Sequence, residues 1–156
     1  MFTYQMKLMT PVSERACSNH LIPLYASSVR AGFPSPADDY IETHLDLNTH
    51  LIKHPAATFF VIAAGDSMTG ASVRPGDMLI VDKSLPATHG KMVIAAINGE
   101  LMVKRLCKEA NRVQLLPVLA AILEERAGKN ARAIDITSEH DVIIWGVITH
   151  VIHTVS

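Results

Sequence analysis

The chain has 156 residues, 49% of them hydrophobic, and a formal net charge of -1 from 14 basic and 15 acidic side chains. This length and composition can support one sizeable hydrophobic core. The near-neutral charge, without a basic block, argues against direct sequence-specific DNA binding, which needs a concentrated positive surface. No apolar stretch reaches the roughly 20 residues of a membrane span, so we expect a soluble, cytoplasmic protein without a membrane anchor.

The first 40 residues differ from the rest of the chain. They contain four prolines and scattered serines but show no sustained hydrophobic periodicity. Because proline interrupts both helices and sheet ladders, this stretch is expected to be an extended N-terminal arm. A short helical turn is predicted next, over residues 46–54.

From Thr58 onward, runs of β-branched and apolar residues bounded by turn residues predict strands. The predicted strands are 58–63, 78–82, 92–97, 101–106, 112–116, 133–136 and 142–153. Asn98-Gly99 joins two of these runs and predicts a tight hairpin, because both residue types tolerate a positive φ. Residues 118–127 have helix-forming composition and precede Gly128, so a short helix is predicted there. The predicted fold class is mostly β, with antiparallel strands and hairpins.

Ser67 is a candidate nucleophile because of the turn in which it lies. It follows Gly65 and Asp66 directly after an apolar strand. A strand that runs into such a turn can aim backbone N–H groups at one point, as an oxyanion hole requires. A serine hydroxyl also needs a base to remove its proton. The alternative interpretation is an ordinary turn with a capping serine.

Lys104 is the candidate base. A lysine accepts a proton only when it is neutral, so its pKa must fall from about 10.4, and burial in an apolar environment has that effect. Side chains alternate along a strand, so Lys104 shares a face with Met102 and Leu106, whereas Arg105 points the other way. We therefore expect Arg105 to be the solvated charge and Lys104 the buried one. The alternative is a strand lysine that extends its amine to solvent.

Together these residues resemble the LexA-type self-cleaving serine peptidases, most closely the UmuD subgroup of SOS mutagenesis proteins. The matching stretches are 31–40, 54–61, 65–68, 75–82, 88–90 and 99–104. The separation of Ser67 from Lys104, 37 residues (104 - 67), is also similar to that of the family. The tripeptide Gly-Asp-Ser alone would say little, but the ordered combination is specific.

The resemblance implies a role for each candidate residue. Ser67 would be the nucleophile, Lys104 the general base, and the backbone amides of Asp66 and Ser67 the oxyanion donors. The scissile bond would be Ala31-Gly32, whose small side chains leave the carbonyl open to attack.

The resemblance also implies a domain organisation and partners. A cleavable arm over residues 1–31 would precede a compact peptidase domain over residues 32–156. Cleavage would be stimulated by the RecA filament on single-stranded DNA after DNA damage. The trimmed product would form a homodimer and join a UmuC-like Y-family polymerase in translesion synthesis.

The principal alternative function is a dimeric, non-catalytic polymerase-binding module of the same fold. A LexA-like repressor would need a helix-turn-helix ahead of the cleavage bond, for which the arm is too short and irregular. A signal peptidase would need a membrane anchor. No cofactor is implied, and no metal site is predicted, because His50 and His54 lack an evident third ligand.

Overall fold

The structure is a computed structural model that describes residues 21–25, 41–64, 73–117, 133–136 and 141–155. The described residues fall into two compact units, divided between Lys53 and His54. The predicted helix over 118–127 lies outside the described residues. Among those ranges, none of the helices has the length and apolar character needed to cross a bilayer.

The first unit contains a two-stranded antiparallel sheet of β1 (Ile22–Tyr25) and β2 (Ile41–Leu45). β1 lies within the region predicted as an irregular arm, so regular structure extends further towards the N-terminus than the local pattern indicated. Pro23 is part of β1, and proline is tolerated on an edge strand because its missing N–H costs no ladder bond there.

The helix α1 (Leu47–Leu51) follows β2 and begins at a capping aspartate. The Asp46 carboxylate accepts hydrogen bonds from the Asn48 backbone N–H at 3.0 Å and the Thr49 hydroxyl at 2.8 Å. These bonds satisfy a donor that the first turn of a helix leaves without an internal partner. The predicted helical turn is therefore present, although it ends at Leu51.

The second unit is built on a seven-stranded antiparallel sheet, which confirms the predicted mostly β fold. Its spatial order is β3-β4-β9-β5-β6-β7-β8. The strands are β3 (Thr58–Ile62), β4 (Met78–Asp82), β5 (Met92–Ile97), β6 (Glu100–Glu109), β7 (Arg112–Pro117), β8 (Ile134–Asp135) and β9 (Val142–Ile152). A short 3₁₀ helix, Pro55–Ala57, precedes β3.

The predicted hairpin at Asn98-Gly99 is confirmed. Ile97 of β5 pairs with Glu100 of β6, which leaves a two-residue loop between the strands. Asn98 has a φ of 50° and Gly99 a φ of 83°. Positive φ at both positions is the signature of a type I′ turn, whose twist matches that of the flanking strands.

β9 is last among the strands in sequence but central in the sheet, where it pairs with both β4 and β5. The register skips Trp145 opposite β5 and Thr149 opposite β4, so β9 carries two bulges. At Gly146, an added Cβ would lie 2.8 Å from Val81 Cγ1 and 3.0 Å from the Asp82 carbonyl oxygen. Glycine therefore permits the close approach of β9 to β4.

The two faces of the sheet carry separate hydrophobic clusters. Val93 and Ile94 are consecutive in β5 and belong to different clusters, as strand alternation requires. The first cluster contains Ala63, Val73, Leu79, Val81, Ile94 and Val103. The second contains Val93, Ala95, Ile97, Leu106, Leu115 and Val147.

Candidate active site

Lys104 lies in the middle of β6, between Val93 of β5 and Pro117 of β7. Its side chain is half-buried. Burial lowers the pKa of the Lys104 ammonium, because a charged amine loses hydration there. The direction of this shift is the one that a general base needs.

Strand alternation places Lys104 on the face of the second hydrophobic cluster, as predicted. Its pairing partner Val93 and its neighbour Leu106 belong to that cluster, and Met102 packs against it. The apolar surroundings account for the desolvation of the amine.

The prediction that Arg105 is the solvated charge is wrong. Its side chain is half-buried, and its Nη1 donates a hydrogen bond to the Gly90 carbonyl at 2.8 Å. Its Nε is buried and has no hydrogen-bond partner among the described residues. The segment before β5 covers this part of β6: Gly90 N donates to Leu106 O, and Leu106 N donates to Lys91 O. A contact between segments decides the burial of Arg105, and alternation within β6 cannot predict it.

Four of the predicted site residues, Ser67, Asp66, Ala31 and Gly32, lie outside the described residues. Their roles remain predictions, as does a contact between Ser67 and Lys104.

The ends of the segment that carries Ser67 are described, and they are tied together. Ala63 N donates to the Asp77 carbonyl, and Gly76 N donates to the Ala63 carbonyl, both at 2.8 Å. Ala63 and Val73 are buried in the same cluster as Val103, the residue before Lys104. Both ends of the segment therefore pack in the first hydrophobic cluster, whereas strand alternation directs Lys104 to the opposite face of the sheet.

A polar cluster at the start of β4 was not singled out from the sequence. Asp77 is 2% exposed. Its Oδ2 accepts a hydrogen bond from Arg74 N at 2.7 Å, and its Oδ1 lies 2.6 Å from His153 Nδ1. The backbone donor of Arg74 and then the imidazole of His153 lower the pKa of Asp77 against the opposing effect of burial. In the sequence, the signal for this cluster was a charged side chain, Asp77, placed between Gly76 and an apolar strand.

A second buried aspartate ends β4. Asp82 is 4% exposed. Its Oδ1 accepts hydrogen bonds from the Ser84 hydroxyl at 2.6 Å and the Ser84 backbone N–H at 2.8 Å. Its Oδ2 lies 2.7 Å from His54 Nδ1. The Ser84 hydroxyl is the main cause of the lowered pKa of Asp82.

The arrangement around Asp82 is neither a catalytic triad nor a metal site. The Ser84 hydroxyl donates to the carboxylate and not to His54, so the imidazole is not placed to activate it. α1 ends at Leu51, so His50 and His54 do not lie on one helix. Within the described ranges, no group of three or more His, Cys, Asp or Glu side chains could hold a metal ion.

The profile of the family described as "Peptidase S24-like" matches residues 23–149. This match covers most of β1, the Ser67 segment, Lys104 and most of β9. The chain belongs to the peptidase S24-like family.

Related proteins match this S24-like chain along most of its length. It is 42% identical to protein ImpA of Escherichia coli over 143 residues, which cover 92% of this chain and 91% of ImpA. It is 39% identical to protein MucA of Escherichia coli over 145 residues, or 93% of each chain. A shorter match is to protein SamA of Salmonella typhimurium, which is 50% identical over 96 residues that cover 62% of this chain and 68% of SamA.

The resemblance to UmuD-like proteins of the LexA-type self-cleaving serine peptidase family is thereby confirmed. Membership defines the general class of chemistry, which is serine peptidase chemistry directed at the chain itself.

Proposed function

We propose that this chain is an SOS-response peptidase that cuts its own Ala31-Gly32 bond with a serine-lysine pair. Ser67 is the nucleophile and Lys104 the general base. The observation that carries the proposal is the half-buried position of Lys104, where desolvation lowers the pKa of its amine. In a peptidase S24-like chain, a lysine biased towards its neutral form is suited to activate a serine.

The proposed reaction has two stages. Neutral Lys104 takes the proton from the Ser67 hydroxyl as Oγ attacks the Ala31 carbonyl carbon. The backbone N–H groups of Asp66 and Ser67 donate hydrogen bonds to the oxyanion that forms. Collapse breaks the carbon–nitrogen bond, and the amine of Gly32 leaves with the proton held by Lys104. Water then hydrolyses the ester between Ser67 and Ala31, which regenerates the hydroxyl.

Self-cleavage suits a weakly activated nucleophile. A substrate bond in the same chain, or in a second copy bound to it, is held at high effective concentration. Effective molarities for well-oriented groups reach about 10⁵ M or more, which lowers the barrier without any change in the base. A regulated, slow peptidase can therefore operate with only two catalytic side chains.

The proposal includes the biological setting of the cleavage. We place it in the cytoplasm, stimulated by the RecA filament on single-stranded DNA. The trimmed residues 32–156 would form a homodimer that serves as accessory subunit of a UmuC-like Y-family polymerase in translesion synthesis. Membership of the family and similarity to ImpA and MucA over nearly the whole chain support this setting. Co-purification of the trimmed form with such a polymerase is the corresponding test.

The catalytic proposal is tested by incubating the purified full chain between pH 7 and about 10. We expect fragments 1–31 and 32–156 by mass spectrometry. Their rate of formation rises with pH, because deprotonation of Lys104 increases the fraction of chains in which the general base is neutral. A full-length mass at every pH would contradict the catalytic proposal and favour the non-catalytic binding module.

Two variants and a control accompany this measurement. Ser67→Ala and Lys104→Ala should each abolish trimming while the far-ultraviolet circular dichroism stays unchanged. Lys91→Ala removes an exposed lysine and should trim at the wild-type rate. Equal trimming rates for Lys104→Ala and Lys91→Ala would show that Lys104 is not the general base.

A further inference from the structure

Residues 84–91, here called the cover, lie in the connection between β4 and β5 and cross the face of the sheet that carries Lys104. Leu85 and Ala87 are half-buried and pack against the second hydrophobic cluster, whereas Pro86 between them is exposed. This alternation is typical of an extended segment that presents every second side chain to the sheet. The cover therefore contributes to the apolar surroundings of that face.

Lys104 lies on this face beside two members of the cluster that the cover helps to bury. Val93 pairs with Lys104 from β5 and is 0% exposed. Leu106 follows two positions after Lys104 on β6 and is 1% exposed. The aliphatic stem of Lys104 thus starts from a part of the sheet from which water is excluded.

No ionisable group of the neighbouring strands accounts for the state of Lys104. By strand alternation, β5 and β7 present only apolar residues to this face, at positions 93, 95, 97, 113, 115 and 117. Among the described residues, the ionisable side chains near the face are Glu100 and Lys108 of β6 and His89 and Lys91 of the cover, all of them exposed. Burial is the cause of the lowered pKa of Lys104.

Arg105 joins the cover to the strand that carries Lys104. Its Nη1 donates a hydrogen bond to the Gly90 carbonyl at 2.8 Å. The backbone adds two hydrogen bonds at the same place, since Gly90 N donates to Leu106 O at 2.7 Å and Leu106 N donates to Lys91 O at 2.9 Å. Gly90 has a φ of 81°, so the chain turns here from the cover into the line of β5. Arg105 therefore holds this turn against β6.

The other hydrogen bonds of the cover do not duplicate the bond from Arg105. Ser84, at the far end of the cover, is bound to Asp82. Lys108 N donates to His89 Nδ1 at 3.0 Å, and this bond lies one residue before the turn. At Gly90 itself, Arg105 supplies the only side-chain hydrogen bond among the described residues.

We infer that Arg105 is a positioning residue for Lys104, because it fixes the cover at Gly90 and so keeps water from the apolar face on which Lys104 lies. The inference rests on the proposed function for the role of Lys104 as general base. Loss of the bond from Arg105 lets the turn move and hydrates the ammonium form of Lys104. A smaller fraction of Lys104 is then neutral at a given pH, and trimming slows.

A matched pair of variants isolates this hydrogen bond. Arg105→Gln and Arg105→Met both remove the positive charge and are similar in length, but only glutamine can donate to the Gly90 carbonyl. Lys104 is titrated by carbon-13 NMR of its Cε in the full chain carrying Ser67→Ala, and its signal is identified by its absence in Lys104→Met. We expect proton binding by Lys104 to be about fivefold tighter with Arg105→Met than with Arg105→Gln. Equal titration in the two variants would overturn the positioning role.

A second pair of variants tests the cover without any change of charge. Leu85→Ala removes a half-buried side chain that packs on the cluster, so it should also tighten proton binding by Lys104. Thr88→Ala shortens an exposed side chain of the cover and should titrate like the parent chain. An unchanged titration in Leu85→Ala would show that the cover does not shield Lys104. This result would contradict the inference even if Arg105→Met failed to fold.

Trimming rates separate this role from a general loss of structure. In chains that retain Ser67, Arg105→Met should trim about fivefold more slowly than Arg105→Gln at about pH 8. The difference should shrink towards about pH 10, because Lys104 then loses its proton in both variants. A rate ratio that stays constant with pH would overturn the shielding of Lys104. If the titrations behave as expected but no chain trims itself, the proposed function fails while the link between Arg105 and the cover stands.

Discussion

Two different effects determine the pKa shifts of the buried ionisable side chains, namely burial for the lysine and hydrogen bonding for the aspartates. Burial is the cause of the lowered pKa of Lys104, so the environment favours the uncharged amine. Burial acts in the opposite direction on Asp77 and Asp82, but hydrogen-bond donors outweigh it and the carboxylates are held in their charged form. The aspartates are stabilised as ions, whereas the charged lysine is tolerated at a cost.

Replacing Lys104 by methionine should therefore stabilise the protein at neutral pH. Met retains the apolar stem and removes a charge that burial disfavours, so we expect a rise in Tm of a few °C at pH 7. The gain should shrink as the pH approaches about 10, because the unfolded-state lysine then loses its proton as well. Thermal unfolding at both pH values measures this.

The control for that substitution is Lys91→Met at an exposed position, where Tm should change little. A lower Tm for Lys104→Met than for wild type would mean that the amine makes a net stabilising contribution. That result would conflict with desolvation as the dominant effect.

Among the structural elements, the hairpin of β5 and β6 positions Lys104. Its type I′ turn fixes the register in which Lys104 pairs with Val93, and a shift by one residue would move the lysine to the other face of the sheet. Gly99 has a φ of 83°, a conformation that side chains with a Cβ rarely adopt. Local turn chemistry therefore contributes directly to the placement of the candidate base.

Gly99→Ala should destabilise the second unit by about 1 kcal/mol, because alanine is strained at positive φ. Space is not the cause, since an added Cβ at this position meets no atom within 4 Å. Urea unfolding monitored by Trp145 fluorescence measures the loss. Gly99→Asn should recover most of the stability, because asparagine tolerates this region better than alanine. Equal stability of the alanine variant and wild type would indicate that the turn changes its conformation.

At the scale of the molecule, β4 is held at both ends by a buried aspartate. Asp77 binds His153 after the central strand β9, and Asp82 binds His54 before β3. These contacts connect parts of the second unit that are far apart in sequence. Because β9 pairs with both β4 and β5, the sheet cannot be completed until the last strand has been added.

This arrangement predicts loss of stability in acid. The folded pKa values of Asp77 and Asp82 lie below their unfolded values, so their stabilising contribution is fully present above about pH 4. This contribution to stability is lost as the pH falls through the lowered pKa values of the folded state, because the carboxylates then take up protons. Urea midpoints measured from pH 7 to pH 2.5 should fall most steeply below about pH 4.

Asp82→Asn should flatten part of this acid dependence, because the amide cannot titrate. Asp141→Asn is the matched control, since Asp141 is exposed and its carboxylate has no hydrogen bond in the described part of the chain. A steep acid transition that is unchanged in Asp82→Asn would assign the effect to other groups.

Short-range patterns accounted for most strands, the hairpin and the face on which Lys104 lies. β4 and β5 occupy the predicted residues 78–82 and 92–97, because apolar runs and their flanking turns report interactions between chain neighbours. The ordered motifs around Ser67 and Lys104 pointed to the family for a related reason, since that chemistry requires certain residue types at certain positions. These features depend on a few adjacent residues and can be predicted from the sequence without the folded structure.

Only the folded chain decided features that join distant residues. β1 forms by pairing with β2, Arg105 is covered by the segment around Gly90, and Asp77 meets His153 across 76 positions. No local pattern records which segments will pack together, because the free energy of such contacts comes from burial and hydrogen bonds made after the sheet has assembled. The sequence thus indicates the candidate catalytic residues, whereas the tertiary structure determines the contacts that fix the positions and pKa values of ionisable side chains.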